Sequence, residues 1–236
     1  MSDVEGKVAI IIGASRGLGA QTARELARGG ARVVLGARNA EQLDALVTEL
    51  RREGHTADYR QANVIRIEEM RHLAQFAAAK YGRIDVLVNG AGIQPSSSID
   101  ELDIDQWNRT IDVNLRGTLH GIAAVLPYFR RQGAGHIVNI CSSALGSDRP
   151  YTTVFDGTQF AIRGITESLR REIGTDIRVT LIDTAHRQHS TARASGGLSP
   201  SVAIARKIAS AIERPYELHL TKIAVNSPMM DASGCC

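Results

Sequence analysis

Cysteine is scarce in this sequence: Cys141, Cys235 and Cys236 are the only three among 236 residues. Three thiols, two of them adjacent, make neither a disulfide framework nor a spaced metal site. An adjacent C-terminal pair serves either as a lipidation signal or as nothing more than a tail. Long apolar runs are missing as well. No stretch reaches the roughly 18 residues of a membrane span, and the opening Met-Ser-Asp-Val-Glu lacks a basic region followed by an apolar one. The expectation is a soluble, cytoplasmic protein with no membrane partner. Neither sign of charge dominates: 28 basic against 25 acidic side chains leave a formal charge of +3. With no long basic run, that balance argues against a nucleic-acid partner. Histidines and cysteines never stand at metal-ligand spacing, so no metal is expected. Ser142 has no Gly-x-Ser-x-Gly setting, which removes the nucleophile-elbow hydrolases.

What the chain does have is core-forming material, 43% hydrophobic residues, in a length suited to one domain over 1–236. Short apolar runs bounded by glycine or polar turns predict buried strands at 8–12, 32–36, 56–60, 85–88, 135–141, 177–182 and 219–225. Amphipathic stretches predict helices at 20–28, 41–52, 66–81, 104–131, 153–173 and 200–213, with Pro127 marking a kink or late break in the fourth. Strand and helix alternate throughout. That spacing predicts an α/β fold, a Rossmann-like doubly wound sheet of about seven parallel strands flanked by helices. The polar, glycine-containing stretch 184–199 reads as a mobile substrate loop.

Between the first strand and the first helix stands Gly13-Ala14-Ser15-Arg16-Gly17-Leu18-Gly19. Glycine permits a tight turn there and lets backbone approach a phosphate at the positive end of a helix. The tip of the second strand reads Leu35-Gly36-Ala37-Arg38-Asn39, with no acid to accept hydrogen bonds from an adenosine ribose. Arg16 and Arg38 instead suit a 2′-phosphate, by charge and by stacking on adenine, which points to NADP(H) over NAD(H).

These features together resemble the short-chain dehydrogenase/reductase family over nearly the whole chain, residues 6–228. Gly13 to Gly19 is similar to the family's nucleotide loop, and Asn63-Val64 lies where the family contacts adenine. Asn89-Gly90-Ala91-Gly92 resembles its Asn-Asn-Ala-Gly element, which stabilises the sheet and walls the adenosine site. Trp107, Val113-Asn114-Leu115, Ile137-Val138-Asn139-Ile140-Cys141-Ser142-Ser143 and the run from Phe160 to Leu169 match later family blocks. The resemblance implies a cofactor set of Gly13, Ser15, Arg16, Gly17, Leu18, Gly19, Ala37, Arg38, Asn63, Val64, Asn89, Gly90, Ala91 and Gln159. It also implies a small-molecule substrate and a homodimer or homotetramer built on the two long helices, where Leu119, Ile122, Leu126, Phe160 and Leu169 supply apolar surface or face the sheet.

The family's chemistry uses a serine to orient a carbonyl, a tyrosine to carry the proton, a lysine to lower that tyrosine's pKa, and an asparagine to support a water by the lysine. Asn114 and Ser142 occupy the asparagine and serine positions. Thirteen residues after Ser142, the tyrosine position holds Phe155, and the lysine position holds Gln159. Phenylalanine cannot exchange a proton; glutamine can hydrogen-bond a ribose but carries no charge. Where the family carries Pro-Gly after strand six, this chain continues Asp183-Thr184. Candidates for the missing proton are Asp183, at the strand end where ligands gather, and Tyr151, whose alternative role is an aromatic wall. His186 and His189 on the following loop are further candidates. Asp183 read structurally would be a cap or a loop-stabilising carboxylate.

Three functions stand open from the sequence. The first is an NADP(H)-dependent oxidoreductase with an altered acid/base set, reducing a conjugated or imine-like bond. The second is a non-redox cyclase, dehydratase or isomerase with Asn114 and Ser142 as hydrogen-bond donors. The third is a catalytically inactive binding or regulatory homologue.

Overall fold

Every residue of Val8–Ile12, and every residue but the first of Arg32–Ala37, is buried. Strands buried on both faces need helices on both sides, which a parallel sheet with crossover helices supplies. The computed structural model describes residues 4–142, 152–184, 199–213 and 222–224. In chain order the elements are β1 (Val8–Ile12), α1 (Gly17–Arg28), β2 (Arg32–Ala37), α2 (Ala40–Arg52), β3 (Ala57–Gln61), α3 (Ile67–Tyr81) and β4 (Val86–Asn89). There follow α4 (Ile104–Ile111), α5 (Gly117–Gln132), β5 (Gly135–Cys141), α6 (Thr153–Glu172), β6 (Ile177–Asp183), α7 (Pro200–Glu213) and β7 (Lys222–Ala224). The sheet order is β3-β2-β1-β4-β5-β6-β7, and every pairing is parallel.

One apolar layer joins the sheet to α1, α2 and α7 through residues such as Leu26, Leu46 and Ile208. The other joins it to α3, α5 and α6 through Leu73, Phe129 and Leu169. The chain reverses direction of winding between β1 and β4, so the crevice at their C-terminal ends is where such a sheet holds a ligand. None of the described helices is long and apolar enough to cross a membrane.

Two features depart from the periodicity. The expected single helix over 104–131 is instead α4 and α5 joined by a π-helical turn, Asp112–Arg116. Just after it, the Thr118 hydroxyl donates to the Asn114 carbonyl at 2.7 Å, one turn back. At Pro127 no break follows: α5 runs on to Gln132.

The edge of the sheet is held by a carboxylate. Asp58 on β3, 6% exposed, accepts hydrogen bonds from Arg51 of α2 and from Lys80 and Tyr81 of α3. Burial pushes the Asp58 carboxyl up, but the bonds from Lys80 and Tyr81 and the charges of Lys80 and Arg51 outweigh it and hold it below its ordinary value. A carboxyl depressed on folding stabilises above its unfolded pKa of about 4 and loses that contribution as pH falls through the folded value. Asp58→Asn is therefore expected to cost about 1–3 kcal/mol at pH 7. The gap between variant and wild type should narrow in urea titrations repeated at successively lower pH below about 4.

Candidate active site

The loop from β1 to α1 is packed as tightly as backbone allows. Gly13 has φ +79°, and a Cβ there would lie 2.8 Å from Ala91 Cα. A Cβ on Gly19 would lie 2.2 Å from the Gly13 carbonyl oxygen. Gly17, at φ +56°, faces open space, so the loop is closed underneath and open above. Arg16 precedes α1 in extended backbone, and its own side chain makes no capping bond there. The first N–H groups of a helix and its dipole suit an anion, and a dinucleotide's pyrophosphate fits this cradle. Ser15 and Leu18 lie half-buried between these glycines, and Leu18 packs on the core.

At the tip of β2, Ala37 is buried and Arg38 is exposed. Asn39 caps α2 by accepting from the Gln42 N–H at 2.9 Å, so the chain turns away directly after Arg38. Arg38, Arg60, Gln61, Asn63, Glu69 and His72 surround a cavity of about 480 Å³. Arg16 is not among them. Asn63 is fixed twice: its N–H donates to Glu69 at 2.7 Å, and its Oδ1 accepts from the Ile65 N–H at 3.3 Å. Val64 is buried, and its carbonyl meets the His120 ring at 2.8 Å.

Asn89 has a different task from its neighbours. Its side chain points into the protein, where Nδ2 donates to Asn139 Oδ1 at 2.9 Å and to the Thr118 carbonyl at 3.3 Å. Asn139 in turn donates to Thr166 on α6 at 2.9 Å. This chain of bonds ties β4, β5, α5 and α6 together below the cleft. Gly90 and Ala91 are left to wall the cleft itself, half-buried beside Gly13.

At the other end of the cleft the structure brings Asn114, Ser142, Phe155 and Gln159 together around Thr158. Asn114, placed by the π turn, accepts from the Ile93 N–H at 2.8 Å and donates to the Ile93 carbonyl at 2.9 Å and to Thr158 Oγ1 at 3.1 Å. The Thr158 hydroxyl donates to the Phe155 carbonyl at 2.6 Å and accepts from Gln159 Nε2 at 3.3 Å. Gln159 Oε1 accepts from the Ser142 N–H at 2.9 Å. Gln159 thus fastens α6 to the end of β5, a bond that a lysine could not make because it has no acceptor. Each named partner in this network is neutral. Phe155 is buried and shares a small cavity wall with Trp107, Pro95 and Thr152.

Asp183 lies beside Cys141 in the β5–β6 register, and its buried carboxylate is paired with Arg163 of α6. That is the structural role of a carboxylate at this strand end, a clamp between β6 and α6. Asp156, next to the tyrosine position, accepts from the Thr152 hydroxyl at 2.8 Å. Tyr151, His186 and His189, with most of the expected 184–199 loop, lie outside the described residues.

Sequence reasoning missed Thr158, Arg163 and Arg60. Arg163 carried a usable signal, since it follows Phe155 and Gln159 at four-residue steps on one helical face. Arg60 carried none, because only the pairing of β3 with β2 brings it beside Arg38.

The profile of a family described as short chain dehydrogenase matches residues 7–193. An uncharacterised oxidoreductase of Staphylococcus saprophyticus is 41% identical over 186 residues, covering 77% of this chain and 74% of that protein. The crystal structure of a metagenomic short-chain oxidoreductase in complex with NADP superposes with a TM-score of 0.85 at 28% identity, covering 97% of this chain and 100% of the other. An alcohol dehydrogenase from the archaeon Thermococcus sibiricus, complexed with 5-hydroxy-NADP, gives 0.83 at 26% identity over 94% of this chain and 96% of its own.

Proposed function

The chain belongs to the short chain dehydrogenase family, and from that premise we propose that it is an NADP(H)-dependent oxidoreductase with a non-standard acid/base set. Its substrate on this reading is a small organic molecule with a conjugated or imine-like bond. The carrying observation is a contrast within one cleft. The glycine cradle and the cavity lined by Arg38 and Arg60 suit a phosphorylated dinucleotide, while Asn114, Thr158, Gln159 and the Phe155 and Ser142 backbone form a neutral hydrogen-bonded network among the described residues. Two of the structurally similar proteins were crystallised with NADP or a derivative of it, which supports the same choice of cofactor.

The bound nicotinamide would supply a hydride; the remaining work falls to side chains. Ser142, its backbone fixed by Gln159, offers its hydroxyl to orient a polar group of the substrate. Asn114 holds the Ile93 backbone and Thr158 in place and so shapes the cleft floor. Asp183 keeps Arg163 and α6 in position, and Tyr151 is the proposed aromatic at the substrate side. A ketone needs a proton delivered to its oxygen as hydride arrives, and Phe155 cannot deliver it. An imine enters already protonated, and a conjugated system accepts charge on an oxygen remote from the reacting carbon. Those substrates demand least of this site.

The test is NADPH oxidation against matched ketones, enones and imines. Turnover of an enone or imine at least about 100-fold above the matched ketone is expected, the range that one acid/base group contributes. Equal rates on ketones would contradict the proposal. Tight NADPH binding with no turnover on any class would favour the inactive or non-redox reading, to which the closed Thr158 network also lends itself. Exposed Leu119 and Phe160, 44% and 40% accessible, support assembly as a homodimer or homotetramer through α5 and α6, whereas Ile122 is buried in the core.

A further inference from the structure

We propose that Arg60, on the edge strand β3, is the second half of a two-arginine site with Arg38 that selects the 2′-phosphate of the cofactor. The inference rests on the NADP(H) reading above. Arg38 and Arg60 are exposed side chains facing one cavity of about 480 Å³. Neither guanidinium has a carboxylate partner among the described residues. The acid on the same cavity wall, Glu69, is engaged elsewhere: it accepts from the Asn63 N–H at 2.7 Å and faces Arg66 at 3.9 Å. Two like charges held beside one cavity without an internal counterion call for an anion from outside.

The backbone keeps the pair in register. In the β2–β3 ladder Gly36 is opposite Arg60 and Ala37 opposite Gln61. Arg38 is the first residue past the end of β2, and its side chain lines the same cavity as Arg60. Gln61 Nε2 then donates to the Arg38 carbonyl at 2.8 Å, fixing the turn that carries Arg38 to the residue beside Arg60. Below, Asp58 anchors β3 to α2 and α3, so the strand presenting Arg60 is held on both flanks. A planar guanidinium from each strand suits a phosphate with several oxygens, and the cavity leaves room for the adenosine that bears it.

The experiment titrates adenosine 2′,5′-bisphosphate and AMP, by calorimetry, into wild type and into Arg60→Met and Arg38→Met; NADPH is titrated alongside. Both arginines are exposed, so both variants should fold, which circular dichroism checks. In wild type the bisphosphate should bind at least tenfold more tightly than AMP. Each variant should lose about 10- to 100-fold for the bisphosphate and for NADPH, the range of charge-assisted hydrogen bonds; AMP should be unchanged in Arg60→Met and should lose less than the bisphosphate in Arg38→Met, whose guanidinium also stacks on adenine. Loss in Arg38→Met but not in Arg60→Met would overturn the role of Arg60 while leaving the cofactor reading intact. Wild type that binds AMP as tightly as the bisphosphate, or binds neither bisphosphate nor NADPH, would overturn the cofactor reading and this site with it.

Discussion

Gly19→Val is expected to weaken NADPH binding by about 100-fold or more, equivalent to roughly 3 kcal/mol. The reason is contact, since the new Cβ would stand 2.2 Å from the Gly13 carbonyl oxygen, a backbone atom that cannot swing aside. Gly13 is itself pressed against Ala91, so the strain passes from α1 through the loop to the β4 end of the cleft. Overpacking of this kind also costs about 1–3 kcal/mol of stability, which a melting curve should show as a lowered but still cooperative transition. Gly164→Ala is the control. It lies inside α6 with open space around its missing Cβ, so NADPH affinity should hold and stability should rise by up to about 1 kcal/mol. A Gly19→Val protein that bound NADPH normally would remove the cradle from the account.

The second large effect is a gain. The double variant Phe155→Tyr with Gln159→Lys is expected to raise ketone reduction by about 100-fold or more over wild type. Tyrosine supplies the group that phenylalanine lacks, and lysine supplies the charge that makes it titrate usefully. The single variant Gln159→Lys should gain nothing, because it removes the acceptor for the Ser142 N–H without adding a proton donor. Affinity for adenosine 2′,5′-bisphosphate is the control readout, since the phosphate-binding end lies apart from both substitutions. A folded, NADPH-binding double variant still at the wild-type ketone rate would show that the missing pair is not what limits this reaction.

Local signals reached far into the fold. Strands 8–12 and 135–141 and the helix 200–213 were legible to the residue, because apolar runs bounded by glycine or proline mark them. The start of α1 at Gly17 was less so: glycines that disfavour a helix interior belong to it here because the loop needs them. The π turn at Asp112–Arg116 was hidden, since an apolar period survives a single widened turn and the reason for it, Asn114 meeting Ile93, is tertiary. At the site, motif spacing named Asn114 and Gln159, which the structure joins through Thr158. Residues defined by a partner were not legible. Asp183 reads as a solitary acid until Arg163 is beside it, and Arg60 reads as a surface charge until β3 pairs with β2. Asn89 shows the converse: its motif was plain, but the direction of its amide, into the Asn139–Thr166 chain, was not.

The most direct test of the proposed NADP(H) site is a parallel titration of the full chain with NADPH and NADH, by nicotinamide fluorescence and calorimetry. Micromolar NADPH affinity, with NADH at least about tenfold weaker, is the predicted result. Failure of both to bind, or equal affinity for the two, would contradict it.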